Sequence, residues 1–181
     1  MTGLASGILL EKQGELRLAG AMDTADVREF RAEDAPWLVD RHQALYAQDE
    51  GFDDSFGPLV AGILADFVAE HDPVRERGWI AEAGGQRLGS IFCVRVDDQV
   101  AKLRLFLLVP EARGRGLGRR LLSTCMGFAR DAGYSEMRLW THESHRAACA
   151  LYRAAGWELV DSTPVHSFGV DLVEQSWQVT L

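Results

Sequence analysis

The sequence predicts a mixed α/β domain with a central β-sheet flanked by helices, and three stretches carry that expectation. In the first, the apolar run Leu103-Arg-Leu-Phe-Leu-Leu-Val109 meets the turn Arg113-Gly-Arg-Gly-Leu-Gly118. A helical stripe of Leu117, Leu121, Leu122, Cys125, Phe128 and Ala129 follows, giving strand, glycine-rich turn and helix in that order. In the second, residues 134–142 alternate as a strand, with Met137, Leu139 and Thr141 on one face. Ala148, Leu151, Tyr152 and Ala155 then recur at helical spacing up to Gly156, and residues 157–160 form another strand. The third is a hairpin, residues 79–83 and 88–96 around Gly84-Gly85.

The remaining elements fall between these. Residues 1–22 read as an arm or extra strand, and residues 23–181 as one domain with a first strand at 27–30. Glu33, Asp34 and Pro36 form a helix entry, and Trp37, Leu38, Leu45 and Tyr46 give that helix its apolar side. A glycine-containing acidic break over 48–54 precedes a second helix, whose stripe is Phe56, Leu59, Val60, Ile63, Leu64 and Phe67. Asp97-Asp98 turns the chain into a strand at 101–109, and the last strand is expected at 177–181.

At 181 residues the chain can bury a core of its own. No apolar run approaches the ~20 residues of a membrane span, and Ile8-Leu9-Leu10 lacks the basic lead of a signal peptide. Cys93, Cys125 and Cys149 are odd in number and sit in apolar patterns, which suits reduced thiols and a cytoplasmic location.

The turn at 113–118 is built for phosphate. Its glycines let a ligand approach the backbone, and first-turn N–H groups have no intrahelical partner. Arg113, Arg115, Arg119 and Arg120 place four positive charges in eight residues of a chain with net charge −8, so the basic character is local. No Gly-Lys-Ser/Thr occurs, which excludes the nucleotide-triphosphate loop. The spacing Gly114-x-Gly116-x-Gly118 also departs from the dinucleotide fingerprint.

Arg113-x-x-Gly116-x-Gly118 resembles the coenzyme A pyrophosphate loop of the GNAT acetyltransferase superfamily. About 30 residues on, Ala148-x-x-Leu151-Tyr152-x-x-x-Gly156-Trp157 is similar to the superfamily's closing signature. Trp157 stands there for the usual Phe, and His145 for the usual Asn. The resemblance covers roughly residues 27–181. It implies a GNAT-like acyl-CoA N-acyltransferase fold and acetyl transfer from acetyl-CoA to an amine, without a metal. It further implies that backbone groups of Leu107, Leu108 and Val109 pair with the pantetheine arm like an added strand. Amides of Gly114, Arg115, Gly116, Leu117, Gly118 and Arg119 would cradle the pyrophosphate, with Arg113 and Arg120 adding charge. His145 would contact the coenzyme or simply face solvent. Tyr152 would donate a proton to the departing thiolate, its plainer alternative being a core tyrosine.

A base must also deprotonate the acceptor ammonium. Glu50, Glu82, His142 and His166 are candidates, with Glu82 placed on an apolar strand and His142 at a strand end beside the cleft. His142-x-x-His145 lacks carboxylate or thiolate support for a metal. In this superfamily the segment joining the first two helices walls the acceptor side. Tyr46, Glu50 and Asp53, with His166, are therefore expected to meet a small cationic amine. The bland alternative is a solvated acidic loop.

The tail His166-Ser-Phe-Gly-Val-Asp-Leu-Val-Glu-Gln-Ser-Trp177 and Ala101-Lys-Leu-Arg-Leu105 resemble the acetyltransferase half of MarR-type regulator/GNAT fusion proteins. About 26 residues precede the first strand, too few for the winged-helix half, and the charge of −8 opposes DNA binding. The expected partner is a small-molecule amine, with no DNA or membrane partner and a homodimer left open. A non-catalytic acyl-CoA-sensing module is the competing function.

Overall fold

The computed structural model describes residues 25–181. The expected arm at 1–22 lies outside them. The elements in chain order are β1 (Asp26–Glu29), α1 (Ala35–Glu50), α2 (Phe56–Glu70), β2 (Arg77–Ala83), β3 (Gln86–Arg95), β4 (Val100–Leu108), α3 (Leu117–Asp131), β5 (Glu136–His142), α4 (Arg146–Ala154), β6 (Glu158–Ser167) and β7 (Val170–Thr180). The strands form one seven-stranded sheet in the order β1-β2-β3-β4-β5-β7-β6, so the mixed α/β expectation holds.

Each helix is dictated by its stripe. Leu38, His42 and Leu45 turn inward from α1; Phe56, Val60, Leu64 and Phe67 do so from α2. These pack with Ile80 and Phe92 on one face of the sheet. Leu121, Leu122, Cys125 and Ala129 of α3, with Cys149 and Tyr152 of α4, fill the other face against Ala101, Met137 and Trp177. Burial of each such apolar side chain contributes roughly 1.5–3 kcal/mol.

Two boundaries differ from the sequence reading. The acidic residues 48–50 do not break α1; the helix continues to Glu50 and stops at Gly51, whose φ of +76° suits a residue without Cβ. Asp49 and Glu50 are thereby held on the last turn of a rigid helix. The tail is a long hairpin rather than two short strands. Its turn takes Phe168 through φ +53° and Gly169 through φ +78°. Phenylalanine is a poor residue for that conformation, but its ring stacks on Phe52 at 4.7 Å and meets Phe56 at 5.0 Å. Tertiary packing offsets a local preference the sequence could not reveal.

The sheet opens at one seam. β4 and β5 are its parallel pair, matched only from Val100↔Glu136 to Lys102↔Arg138. Beyond Lys102, β4 follows β3 and β5 follows β7, which pairs with it from Glu136 to His142. A bulge in β4 adds to the divergence: two steps of β3, Ser90 to Phe92, face three steps of β4, Leu107 to Arg104. Leu105 sits there at φ +48°, and its carbonyl accepts the Ser90 hydroxyl at 2.6 Å.

The sheet's outer end is pinned by a buried carboxylate. Asp34 is fully buried and is held by Arg28 at 2.8 Å and Arg87 at 2.6 Å. Burial pushes its carboxyl up, but the guanidinium hydrogen bonds outweigh that and hold it well below the usual carboxylate range. A depressed native pKa adds stability above the unfolded value and loses it as pH falls. Asp34→Ala should therefore lose about 3 kcal/mol at neutral pH. The gap from wild type should narrow below about pH 4, as read from urea unfolding at several pH values.

Candidate active site

The seam between β4 and β5 opens into a cleft of about 130 Å³. β4 and β5 form its sides, α1 and α2 cover it, and α4 closes one end. The motif residue Tyr152 reaches it from α4 together with His145, while Tyr46 enters from α1 and His142 from β5. The structure thus brings Tyr152, His145, His142 and Tyr46 together from three elements, α1, β5 and α4 with its N-cap residue.

Tyr152 is 3% exposed, with its ring beside Phe106, Trp157 and Trp177. Burial, reinforced by the Tyr46 phenol and nearby thiols, pushes its hydroxyl well above the usual tyrosine range, so it holds its proton. Tyr46 is itself pushed up to about 12, first by burial and then by Glu50.

His145 has two polar partners. Its Nε2 lies 3.2 Å from Glu50 Oε1, and its Nδ1 lies 3.1 Å from the Thr141 hydroxyl. With Glu50 ionised, Nε2 carries the hydrogen that the carboxylate accepts, and Nδ1 accepts from Thr141. The other carboxylate oxygen of Glu50 accepts from Ser144 at 2.6 Å. Burial lowers the His145 pKa while Glu50 opposes the fall. His142 lies 5.3 Å from the His145 ring and 5.4 Å from Phe52, and its Nδ1 is buried without a hydrogen-bond partner. Burial and the neighbouring His145 hold His142 down at about 4.

The glycine-rich turn sits where β4 ends. Gly114 and Gly116 take φ +75° and +79°, and the first helical bond of α3 runs from Arg120 N to Gly116 O at 3.1 Å. Amides at this turn precede any intrahelical partner and form an anion site. Leu117 and Gly118 are buried, while Arg115 and Arg119 are exposed. Two arginines are engaged elsewhere. Arg113 spans from the Leu108 carbonyl, 3.2 Å, to Asp49, 3.4 Å, and Arg120 donates to the Ala25 carbonyl.

Strand parity corrects one expectation. The Val109 N–H donates to Leu88 O at 2.9 Å, so Val109, and by alternation Leu107, turn their backbone groups toward β3. The edge facing the seam belongs to Phe106 and Leu108. Leu108 is the expected residue that does face an added strand; Leu107 and Val109 do not.

Other expected residues lie apart. Glu82 is bonded to Arg28 at 2.8 Å on the β1–β2 side of the sheet and does not line the cleft. Asp53 is exposed and accepts from the Ser55 amide. His166 is exposed and paired with Asp171 at 2.7 Å. Glu50 reaches the cleft only through His145. Residues the sequence reading passed over do line it: His42, Lys102, Arg104, Trp140, Thr141 and Phe168. Among the described residues no three His, Cys, Asp or Glu side chains could hold a metal together, and no helix is long and apolar enough to cross a membrane.

The chain is similar to known proteins. A model of the acetyltransferase (GNAT) family matches residues 26–157. N-acetyltransferase 8 of Mus musculus is 36% identical over 101 residues, which is 52% of this chain and 44% of that protein. N-acetyltransferase 8 of Homo sapiens is 37% identical over 91 residues, 46% of this chain and 40% of that protein. The chain spans less than half the length of these relatives. Among solved structures, a phosphinothricin acetyltransferase from Sinorhizobium meliloti in complex with acetyl-CoA superposes with a TM-score of 0.73 at 22% identity. That match covers 87% of this chain and 89% of that one. An acetyltransferase from Salmonella typhimurium with its cofactor acetyl-CoA gives 0.66 at 19% identity, covering 86% and 93%. At such identities the likeness speaks for the fold.

The buried histidines have a measurable consequence. His42 and His142 are both held at about 4, against 6.5 in an open chain. Between those values the unfolded chain binds protons that the native one refuses, so stability rises with pH across that window. Urea midpoints should fall as pH drops from about 6.5 to about 4, and His42→Leu should flatten that dependence.

Proposed function

We propose that this chain, which belongs to the acetyltransferase (GNAT) family, moves an acetyl group from acetyl-CoA to the nitrogen of a small primary amine by direct attack. One observation carries the reading. The β4–β5 seam sets an open backbone edge and a proton-holding tyrosine at one cleft, and the glycine-rich turn follows where β4 ends. The pyrophosphate would rest on the amides from Gly114 to Arg119. The pantetheine arm would lie along the Phe106–Leu108 edge as an added strand. An outward backbone N–H there would hold the thioester carbonyl oxygen as charge develops on it.

The proton steps follow from the side chains. The acceptor must shed a proton before its lone pair attacks the carbonyl carbon. His145 is the base: Glu50 stabilises the imidazolium, and the Thr141 hydroxyl relays the proton to Nδ1. His142, neutral and without a hydrogen bond at Nδ1, positions the amine. As the C–N bond forms and the C–S bond breaks, Tyr152 gives its phenolic proton to the thiolate. This assignment retires Glu82 as base and gives His145 a role beyond the coenzyme contact of the usual Asn.

A non-catalytic sensor of acyl-CoA would need no proton donor at the sulfur and no base, so Tyr152 and the Glu50–His145 pair favour turnover. The nearer kinship with the acetyltransferase half of MarR-type regulator fusions rests on the tail sequence, which builds the β6–β7 hairpin, and is part of this proposal. So are an intracellular setting and a free amine as partner.

Thiol release from acetyl-CoA with an amine panel tests the whole. Tyr152→Phe keeps the ring and removes the hydroxyl; acetyl-CoA affinity by calorimetry should hold while kcat falls by about 10²-fold. Binding without thiol release for any amine would leave a sensor instead.

His145→Asn restores the family's usual residue and so separates the two roles. The KM for acetyl-CoA should stay near wild type. The kcat should fall by about 10²-fold, and the imidazole's acidic limb should vanish from the pH–rate profile. An unchanged limb would remove His145 as the base.

A further inference from the structure

The carboxylates near the cleft are already spent. Glu50 is bonded to His145 and Ser144. Asp49 is bonded to Arg113 and Asp53 accepts from Ser55. Among the described residues no aspartate or glutamate lines the cleft, whereas Lys102 and Arg104 both do. The charge facing the ligand is therefore positive, the reverse of what the acidic run at 49–54 led the sequence reading to expect.

Ordinary strand alternation puts both cations on one face, and the bulge takes Phe106 and Leu108 off it. Ala101 and Leu103 point into the core beneath α3, and so do Phe106 and Leu108. Leu105 packs toward α1 and α2. The extra residue resets the alternation, leaving Lys102, Arg104 and Leu105 all on the cleft side. Lys102 Nζ lies 5.3 Å over the Trp140 ring. Neither Lys102 nor Arg104 makes a salt bridge of 4.0 Å or less with any described residue, although Glu174 and Asp66 act on them through space. Both are half-buried, and burial lowers the pKa of each. Two half-buried cations in a cavity without an ion-pair partner in contact are costly unless a ligand supplies one. Beside them Leu59, Ile63 and Trp140 offer apolar surface.

We infer that the acceptor is an amino acid with an apolar side chain: its amine meets the thioester, its carboxylate meets Lys102 and Arg104, and its side chain lies on Leu59, Ile63 and Trp140. The inference rests on acetyl transfer at this cleft and names the substrate class. Lys102 and Arg104, whose backbone positions lie about 7 Å apart along one strand face, can receive one carboxylate between them, with the guanidinium able to bind it in bidentate fashion.

The test compares matched pairs by thiol release from acetyl-CoA: phenylalanine against phenethylamine, leucine against isoamylamine, and amino acids with the amine moved further from the carboxylate. At least one acid should exceed its decarboxylated partner by about tenfold or more in kcat/KM. Lys102→Met and Arg104→Met, checked for folding by circular dichroism, should collapse that preference toward one, acting on the acceptor KM. A second measurement needs no variant. Phenylpropionate, an acid without an amine, should inhibit wild type competitively against the acceptor, and phenylpropanol should not. Equal or better turnover of the decarboxylated amines, or equal inhibition by acid and alcohol, overturns this inference while leaving acetyl transfer intact. Absence of thiol release with every amine overturns acetyl transfer itself.

Discussion

The molecule depends on a pairing that stops early. β4 and β5 share three matched positions and then part, because each is bound more extensively on its other side. β3 holds β4 along most of its length and β7 holds β5 over all seven residues. Antiparallel ladders win over a parallel one, which is slightly weaker per residue. The parted strands leave the Phe106–Leu108 edge without a strand partner in the middle of a sheet, its Leu108 carbonyl taken by Arg113. In the proposed function an extended ligand with amide groups would pair with that edge, and the glycine-rich turn where β4 ends would supply donors for its phosphates.

The cleft's electrostatics follow from how little water enters. His142 and His42, held at about 4, stay neutral above that pH because charging a buried imidazole costs solvation. Tyr46 and Tyr152 keep their protons for the same reason. Glu50 is the exception: it lies 3.2 Å from His145 Nε2, on the far side of that ring, and in the proposed mechanism would stabilise the imidazolium. The continuation of α1 through residues 48–50 puts it there. Had the helix ended at residue 47, Glu50 would be a loop side chain without a fixed relation to α4.

Short-range features were legible and long-range ones were not. The turn at 113–118 and the Tyr152 signature could be read because their geometry is written within a few residues: glycines where φ is positive, apolar positions at helical spacing. Glu82 was read on the right strand, yet its fate was decided by Arg28, 54 residues away. The parity of Leu107 and Val109 hinges on a bulge at Leu105, and a leucine at positive φ leaves no mark in the sequence. Phe168 is similar: its ring contacts with Phe52 and Phe56 hold a turn that its own preferences oppose. Lys102 and Arg104 read as ordinary polar alternation on a strand, and only the seam makes their face the wall of a cleft.

The bulge at Leu105 relates the cleft's cations to its backbone edge. Holding a non-glycine residue in the left-handed region costs on the order of 1–3 kcal/mol, and the Ser90 hydroxyl bound to the Leu105 carbonyl offsets part of that. Without the extra residue, strand alternation would carry on unbroken from Ala101 to Val109. Phe106 and Leu108 would then share the face of Lys102 and Arg104, and the backbone edge would shift by one residue against its side chains. With it, in the proposed reading, Lys102 and Arg104 would meet the acceptor while the amides of Phe106 and Leu108 would meet the thioester, and one irregular residue in β4 would set the register between the two substrates.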